Sequence, residues 1–183
     1  MNSLSADEDV DLVRKILAGD ENSYRQILRK YERRIYSICY RILCNEAAAE
    51  DAAQDAFIRA YFALKRYDQN RPFLPWLIRI AVNRAISVAE RERVYEPLPQ
   101  GFLETAGEDG TSDTASQGRE LERAARDAVA GLPPKLRAVV ALRVFEELSY
   151  GEIAETLRLS IGTVMSRLSR GRNQIKSKLV KFL

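Results

Sequence analysis

The C-terminal part of the sequence carries side chains that can bond nucleic acid, at a spacing typical of one helix face. Hydroxyl, amide and guanidinium groups bond phosphate oxygens and base edges. The residues that carry such groups on this helix face are Ser160, Thr163, Ser166, Arg167, Arg170 and Gln174. From Arg158 to the C-terminus there are seven lysines and arginines and no acidic residue. A charge run more often marks only a solvated face, so the interpretation as a DNA-binding surface depends on the elements around it.

Two short helices joined by a tight turn would position these groups. Ser149 and Glu152 have the spacing of a capping box. Arg158 and Leu159 would make the turn, and Ser160 would cap the second helix. The first helix has an apolar stripe of Tyr150, Ile153, Ala154 and Leu157. The second has an apolar face of Ile161, Val164, Leu168, Ile175 and Leu179. These patterns together predict a helix-turn-helix with a basic second helix in the major groove.

Composition divides the chain into three parts. The 183 residues suit one or two domains. Residues 1–93 carry a net charge of +2, residues 94–118 a net charge of −5, and residues 119–183 a net charge of +6. The middle part is rich in Gly, Pro, Ser, Thr and acids, which is typical of a protease-sensitive linker. We therefore expect a helical domain over 1–93, a flexible acidic linker over 94–118 and a second helical domain over 119–183.

Residue types exclude several function classes. There is no histidine, which removes histidine acid–base catalysis, Ser-His triads and most zinc sites. Cys39 and Cys44 are expected to be buried free thiols within one apolar helical stretch. The acidic N-terminus does not resemble a signal peptide, and the most apolar window, residues 73–82, is too short for a bilayer. We expect a cytoplasmic protein with no catalytic residue, metal or cofactor.

Helical patterns fill the rest of the chain, and none alternates with a period of two. Asp20 and Asn45 are placed to cap the second and third helices, and Pro75 to open the fourth. The third helix carries a mostly polar stripe of Asp51, Gln54, Asp55 and Ile58. The predicted helices span residues 7–18, 21–43, 46–67, 75–93, 119–130 and 134–145 before the helix-turn-helix. The expected fold class is all-α, with two small helical domains.

Three of these segments, in this order, resemble an extracytoplasmic-function (ECF) sigma factor of the bacterial sigma-70 family. AEDAAQDAFIRAY (residues 49–61) is similar to the family's core-polymerase-binding helix. RPFLPWLIRIAVNRAISVAERER (71–93) is similar to its promoter-melting and minus-ten segment. The segment from 132 to 179, which contains the helix-turn-helix, is similar to its minus-thirty-five domain.

The resemblance implies a subunit that directs RNA polymerase to specific promoters, in a stress or envelope response. Core polymerase would be bound by Glu50, Asp51, Gln54, Asp55 and Ile58. Minus-ten DNA would be bound by Tyr67, Asn70, Arg71, Phe73, Trp76, Arg79, Asn83, Arg84 and Arg91. Minus-thirty-five DNA would be bound by Ser160, Thr163, Ser166, Arg167, Arg170 and Gln174. The implied partners are the coiled coil and flap of core polymerase, promoter DNA, and an anti-sigma factor that is commonly membrane-anchored, without membrane insertion of this chain.

Two positions depart from the family pattern. Arg158 stands where glycine is common in the turn, and Met165 stands where a basic residue is common in the recognition helix. Three other function classes stay open at this point. They are a stand-alone helix-turn-helix regulator, a sigma mimic that only sequesters an anti-sigma factor, and, least favoured, an enzyme.

Overall fold

The computed structural model describes residues 3–92 and 123–180, with side chains from residue 8. The linker expected over 94–118 therefore lies outside the described residues, as does the start of the helix expected at 119. Every regular element in the described part is helical. The all-α expectation is confirmed.

Four helices make the N-terminal unit, and local capping explains where two of them begin. α1 spans Ser3–Leu17, α2 Glu21–Leu43, α3 Glu46–Ala63 and α4 Phe73–Glu92, with a 3-10 turn at Leu64–Arg66. Asp20 caps α2 through the Asn22 amide and Asn45 caps α3 through the Ala48 amide. Both caps were predicted. α4 begins at Phe73, so Pro75 lies inside its first turn instead of opening the helix.

The small side chains of α3 let it pack closely between its neighbours. Ala49, Ala52, Ala56 and Ala60 are buried, and α3 packs on both α2 and α4. α1 is held to α2 by a polar contact that sequence patterns do not reveal. The buried Asp9 accepts hydrogen bonds from Lys30 (2.7 Å) and from the Tyr31 hydroxyl (2.5 Å).

The C-terminal unit consists of α5, of which residues 123–130 are described, and three further helices. α6 spans Pro134–Val144, α7 Tyr150–Leu157 and α8 Ile161–Leu179. α8 packs against α6 and α7. Gly171 is buried on α8, where an added Cβ would lie 2.9 Å from the Val140 side chain. A larger residue there would push α8 away from α6.

The two units are packed together through α2, α4, α6 and α7, and one apolar cluster runs through both. Arg137 of α6 is buried at this junction. Its guanidinium donates to the Ile42 carbonyl at the end of α2 (2.6 Å) and to the Cys44 sulphur (3.0 Å). It also donates to the carbonyls of Ala130 (2.5 Å) and Leu132 (2.9 Å) in its own unit. The Arg137 side chain thus joins its own helix, α6, to the end of α2 and to the turn between α5 and α6.

Further side-chain contacts reinforce the junction at its edges. Lys135 pairs with Glu90 at 2.8 Å, and Arg34 pairs with Glu146 at 2.6 Å. The Arg41 guanidinium lies 3.5 Å from the centre of the Phe145 ring. The structure is therefore a closed arrangement of the two units.

Both cysteines are buried free thiols, as predicted. Cys44 lies just beyond α2 in a left-handed conformation (φ 59°), so it is outside the helical stretch to which it was assigned. Burial raises the pKa of the Cys39 thiol to about 12 and also raises the pKa of the Cys44 thiol. Both thiols are protonated and shielded at neutral pH.

Candidate polymerase and nucleic-acid interfaces

The helix-turn-helix forms with the predicted caps. Ser149 and Glu152 make a reciprocal capping box at the start of α7. Arg158 ends α7 in the left-handed region (φ 53°). Its backbone thus adopts the conformation that glycine commonly supplies there, and the turn forms with arginine instead. Ser160 then caps α8 by accepting from the Thr163 amide at 3.1 Å.

The buried side of α8 is narrower than the sequence pattern predicted. Val164 and Leu168 are buried, and Ile175 and Leu179 are half-buried. Ile161 was assigned to the apolar face but is 55% exposed. Helical spacing fixes the direction in which a side chain points, but it does not fix whether a neighbouring helix extends far enough to cover it.

The predicted DNA-binding residues of α8 divide into free and internally bonded groups. Arg170 and Gln174 are exposed, and Arg167 is half-buried. The hydroxyls of Ser160 and Thr163 bond each other (2.8 Å), and the Ser166 hydroxyl donates to the Thr163 carbonyl (3.0 Å). The arginines and Gln174 therefore keep polar groups open to solvent, while the hydroxyls bond within the start of the helix.

The predicted minus-ten segment is built around three aromatic rings. The ring centres of Tyr67, Phe73 and Trp76 lie 5.1–5.6 Å from one another. The Tyr67 hydroxyl donates to the Arg71 carbonyl, which closes the loop between them. Tyr67 and Phe73 are buried, whereas Trp76 is half-exposed. In this arrangement the first two shape the loop, and Trp76 alone presents part of its ring.

The polar residues predicted to bind minus-ten DNA differ in their exposure to solvent. Asn70, Arg71, Asn83 and Arg91 are exposed and Arg79 is half-buried. Arg84 instead forms an ion pair with Asp55 of α3 at 2.5 Å, without hydrogen-bond geometry at Nε. It was predicted to bind minus-ten DNA, and in this structure it joins α4 to α3.

A cavity of about 450 Å³ lies between the minus-ten segment and the helix-turn-helix. Arg71, Trp76 and Arg79 line it from one unit, and Glu155 and Arg158 line it from the other. Burial lowers the pKa of Arg79, and the positive charges of Arg158 and Arg71 lower it further. The closed arrangement thus gathers several arginines with the carboxylates of Asp68, Glu152 and Glu155 around one cavity, and it places α7 opposite the predicted minus-ten residues.

The predicted polymerase-binding face of α3 is largely open. Glu50, Asp51, Gln54 and Ile58 are exposed. Asp55, which was predicted to bind core polymerase with them, is half-buried and paired with Arg59 and Arg84. The open residues adjoin a groove of about 970 Å³ between α2 and α3, at whose edge Ile58 and Phe62 are 55% and 77% exposed.

Comparison with known proteins identifies the class. The chain matches the family Sigma-70 region 2 over residues 27–94 and the family Sigma-70, region 4 over residues 122–175. It is 35% identical over 181 residues to the ECF RNA polymerase sigma factor SigW of Bacillus subtilis, covering 91% of this chain and 94% of that one. It is 32% identical to the RNA polymerase sigma-H factor of Pseudomonas aeruginosa, covering 98% of both. The chain belongs to the sigma-70 family, and within it to the ECF sigma factors.

Solved structures show the same fold. CnrH in complex with the cytosolic domain of CnrY superposes with a TM-score of 0.68, at 23% identity and 95% coverage of this chain and 98% of that one. The sigma factor RpoE of Bartonella quintana, in complex with the anti-sigma factor NepR, gives a TM-score of 0.58 at 21% identity, covering 85% and 96%. The named relatives are sigma factors and not enzymes. Within the described residues, no helix has both the length and the apolarity needed to cross a membrane.

Proposed function

We propose that residues 1–93 bind core RNA polymerase and minus-ten DNA, and that residues 119–183 bind minus-thirty-five DNA, with 94–118 as the linker. The observation that carries this proposal is the pairing of two separate surfaces. One is the open polar and apolar face of α3 with its groove, and the other is the basic face of α8. A stand-alone regulator would need only the second surface, and a sigma mimic would need no DNA-reading arginines.

The same proposal assigns the protein no catalytic activity of its own and a cytoplasmic location. An anti-sigma factor is a further proposed partner, by analogy with the NepR and CnrY complexes of the structural neighbours. Pull-down with core polymerase, followed by transcription on a promoter library, tests the proposal as a whole. Failure to bind core polymerase would contradict it.

Asp51→Arg should weaken binding to core polymerase about tenfold or more, which is about 1.4 kcal/mol. Asp51 is exposed beside Glu50 and Gln54, so the substitution reverses one charge on the proposed surface without breaking an internal contact. Asp55 is the poorer choice because it is paired with Arg84. Fluorescence titration of labelled protein with core polymerase measures the effect.

Asp127→Arg is the matched control for this experiment. It makes the same charge change at an exposed position of α5, in the other unit. It should bind core polymerase as the unaltered protein does. Equal affinities for all three proteins would show that the face of α3 is assigned wrongly.

Arg167→Ala and Arg170→Ala should each impair recognition of the upstream promoter element and leave polymerase binding intact. An arginine that reads guanine with both nitrogens contributes about 1–3 kcal/mol at one base pair. An arginine on a phosphate would weaken all sequences alike and flatten the salt dependence. Holoenzyme binding to single-base promoter variants at two salt concentrations separates the two roles, and at least one arginine should show the base-specific pattern.

Arg29→Ala is the control for these variants, because Arg29 is an exposed arginine of α2 in the other unit. It removes the same charge and should leave selectivity unchanged. Unchanged selectivity and salt slope in both α8 variants would mean that α8 does not read DNA.

A further inference from the structure

The cavity between the two units has more positive than negative side chains around it. Five arginines and three carboxylates line its volume of about 450 Å³. Two of the carboxylates are bonded within their own unit, because Asp68 pairs with Arg71 at 3.5 Å and Glu152 accepts from the Ser149 amide at 2.8 Å. Among the described residues of the lining, this leaves the carboxylate of Glu155 to face the remaining arginines.

Three of the lining arginines come from different parts of the fold and lack a counter-charge. Within the described part of the chain, the guanidinium groups of Arg66, Arg79 and Arg158 form no ion pair and no hydrogen bond. Burial lowers the pKa of Arg79, and the positive charges of Arg158 and Arg71 lower it further. Arg158 belongs to the C-terminal unit, so closure brings like charges together. An anion between them would offset this repulsion.

An aromatic ring lies in the same cavity. Trp76 lines it and is half-buried, whereas Tyr67 and Phe73, the rings packed against Trp76, are buried. Bases stack on open aromatic faces, and guanidinium groups bind phosphate oxygens. Small-molecule sites commonly lie at domain interfaces and have volumes of about 300–1,000 Å³. The ring and the arginines together match the two halves of a nucleotide.

We infer that this cavity binds a nucleoside polyphosphate, with its base on Trp76 and its phosphates between Arg79 and Arg158, and that the ligand holds the two units closed. The phosphates connect a side chain of α4 to one in the turn between α7 and α8. Because Trp76 and Arg79 are also proposed to bind minus-ten DNA, the bound ligand excludes that strand. Only this last consequence rests on the proposed function.

Calorimetric titration of the full chain tests the site, with ATP as the probe and without divalent cations. ATP should bind one to one. Tripolyphosphate lacks the base and should bind about fivefold more weakly or less, and adenosine, which lacks the phosphates, should bind more weakly still. Trp76→Leu should bind ATP and tripolyphosphate equally. Equal affinities of the unaltered protein for ATP and tripolyphosphate would overturn the assignment to a nucleotide.

Arg158→Gly should weaken ATP binding about tenfold or more, because it removes a charged contact with phosphate. Arg158 has a φ of 53°, which glycine adopts readily, so the turn should form in this variant. Arg158→Lys keeps a cation and should keep most of the affinity. Arg29→Ala is the matched control, since it removes an exposed arginine of α2 that does not line the cavity. Unchanged affinity in Arg158→Gly would overturn the inference.

Closure can be measured through the native Cys44 thiol. Cys44 is 2% exposed and packs with Val129 and Ile175 of the other unit, so a thiol reagent reaches it when the units separate. ATP at about ten times its Kd should slow the labelling of Cys44 about tenfold, and much less in Arg158→Gly at the same concentration. Peptide mass spectrometry measures the rate and separates Cys44 from Cys39.

Absence of ATP binding would overturn the inference, as would binding that leaves the Cys44 labelling rate unchanged. Neither measurement contains polymerase or promoter DNA. Failure of the proposed function would therefore be seen separately, as failure of the chain to bind core polymerase in the pull-down.

Discussion

A short covalent bridge across the two units should abolish promoter-specific transcription. The bridge joins Glu90→Cys to Lys135→Cys with a bis-maleimide reagent. The two native side chains are 2.8 Å apart and about half-exposed, so cysteines there would be close together and reactive. Cys39 and Cys44 would not compete for the reagent, because both are buried. The measurement is run-off transcription with the bridged protein and core polymerase.

The expected loss follows from the dimensions of the closed arrangement. Elements centred ten and thirty-five base pairs upstream are about 25 base pairs apart, or roughly 85 Å along the duplex. A compact chain of this length has a radius of gyration of about 16 Å, and is thus only about 40 Å across. The closed arrangement cannot place both units on their elements at once. In addition, α7 faces Trp76 and Arg79 across the cavity, where the minus-ten strand would bind.

A cleavable bridge provides the control for this experiment. Reduction of a disulphide-containing linker should restore transcription by the same sample, which shows that the cysteines themselves do no harm. Each single-cysteine protein treated with the reagent should stay active. Full activity of the bridged protein would mean that the closed arrangement is compatible with promoter binding, contrary to the geometric argument.

Local chemistry made much of the fold predictable. Asp20, Asn45, Ser149 and Ser160 each cap the helix that they were expected to cap. A cap depends on residues within one turn, so the sequence contains the whole interaction. The same is true of Asp51, Gln54 and Ile58 on α3, which are exposed because alanine occupies the buried side of that helix.

Contacts between distant segments were not predictable. Arg137 was one arginine among many in the sequence, but its guanidinium bonds a carbonyl 95 residues away. The hydrogen bond from Tyr31 to Asp9 and the ion pair of Asp55 with Arg84 also join distant segments of the chain. Ile161 differs, because its helix face was predicted correctly and only the extent of the neighbouring helices was unknown. Contacts that depend on how whole helices pack cannot be predicted from the spacing of residues within one helix.

Arg137→Met should lower the free energy of unfolding by about 3 kcal/mol or more. The substitution keeps a long unbranched side chain but removes the donors to Ile42, Ala130 and Leu132. The variant does not bear the cost of removing a guanidinium from water on folding, and this difference favours its folded state. The loss outweighs this gain because two buried carbonyl oxygens and one part-buried carbonyl oxygen are left without this donor, and each unsatisfied buried acceptor costs about 1–3 kcal/mol. Urea unfolding monitored by circular dichroism measures the difference.

Two further variants show whether the geometry of the guanidinium is responsible. Arg137→Lys keeps the charge but cannot present a planar fork to several acceptors, so it should recover only part of the lost stability. Arg143→Met removes an exposed arginine of the same helix, whose guanidinium makes one hydrogen bond, to the Leu148 carbonyl at 3.1 Å. It should cost less than about 1 kcal/mol, because water can replace that bond. Equal destabilisation by Arg137→Met and Arg143→Met would show that the buried contacts of Arg137 do not hold the two units together.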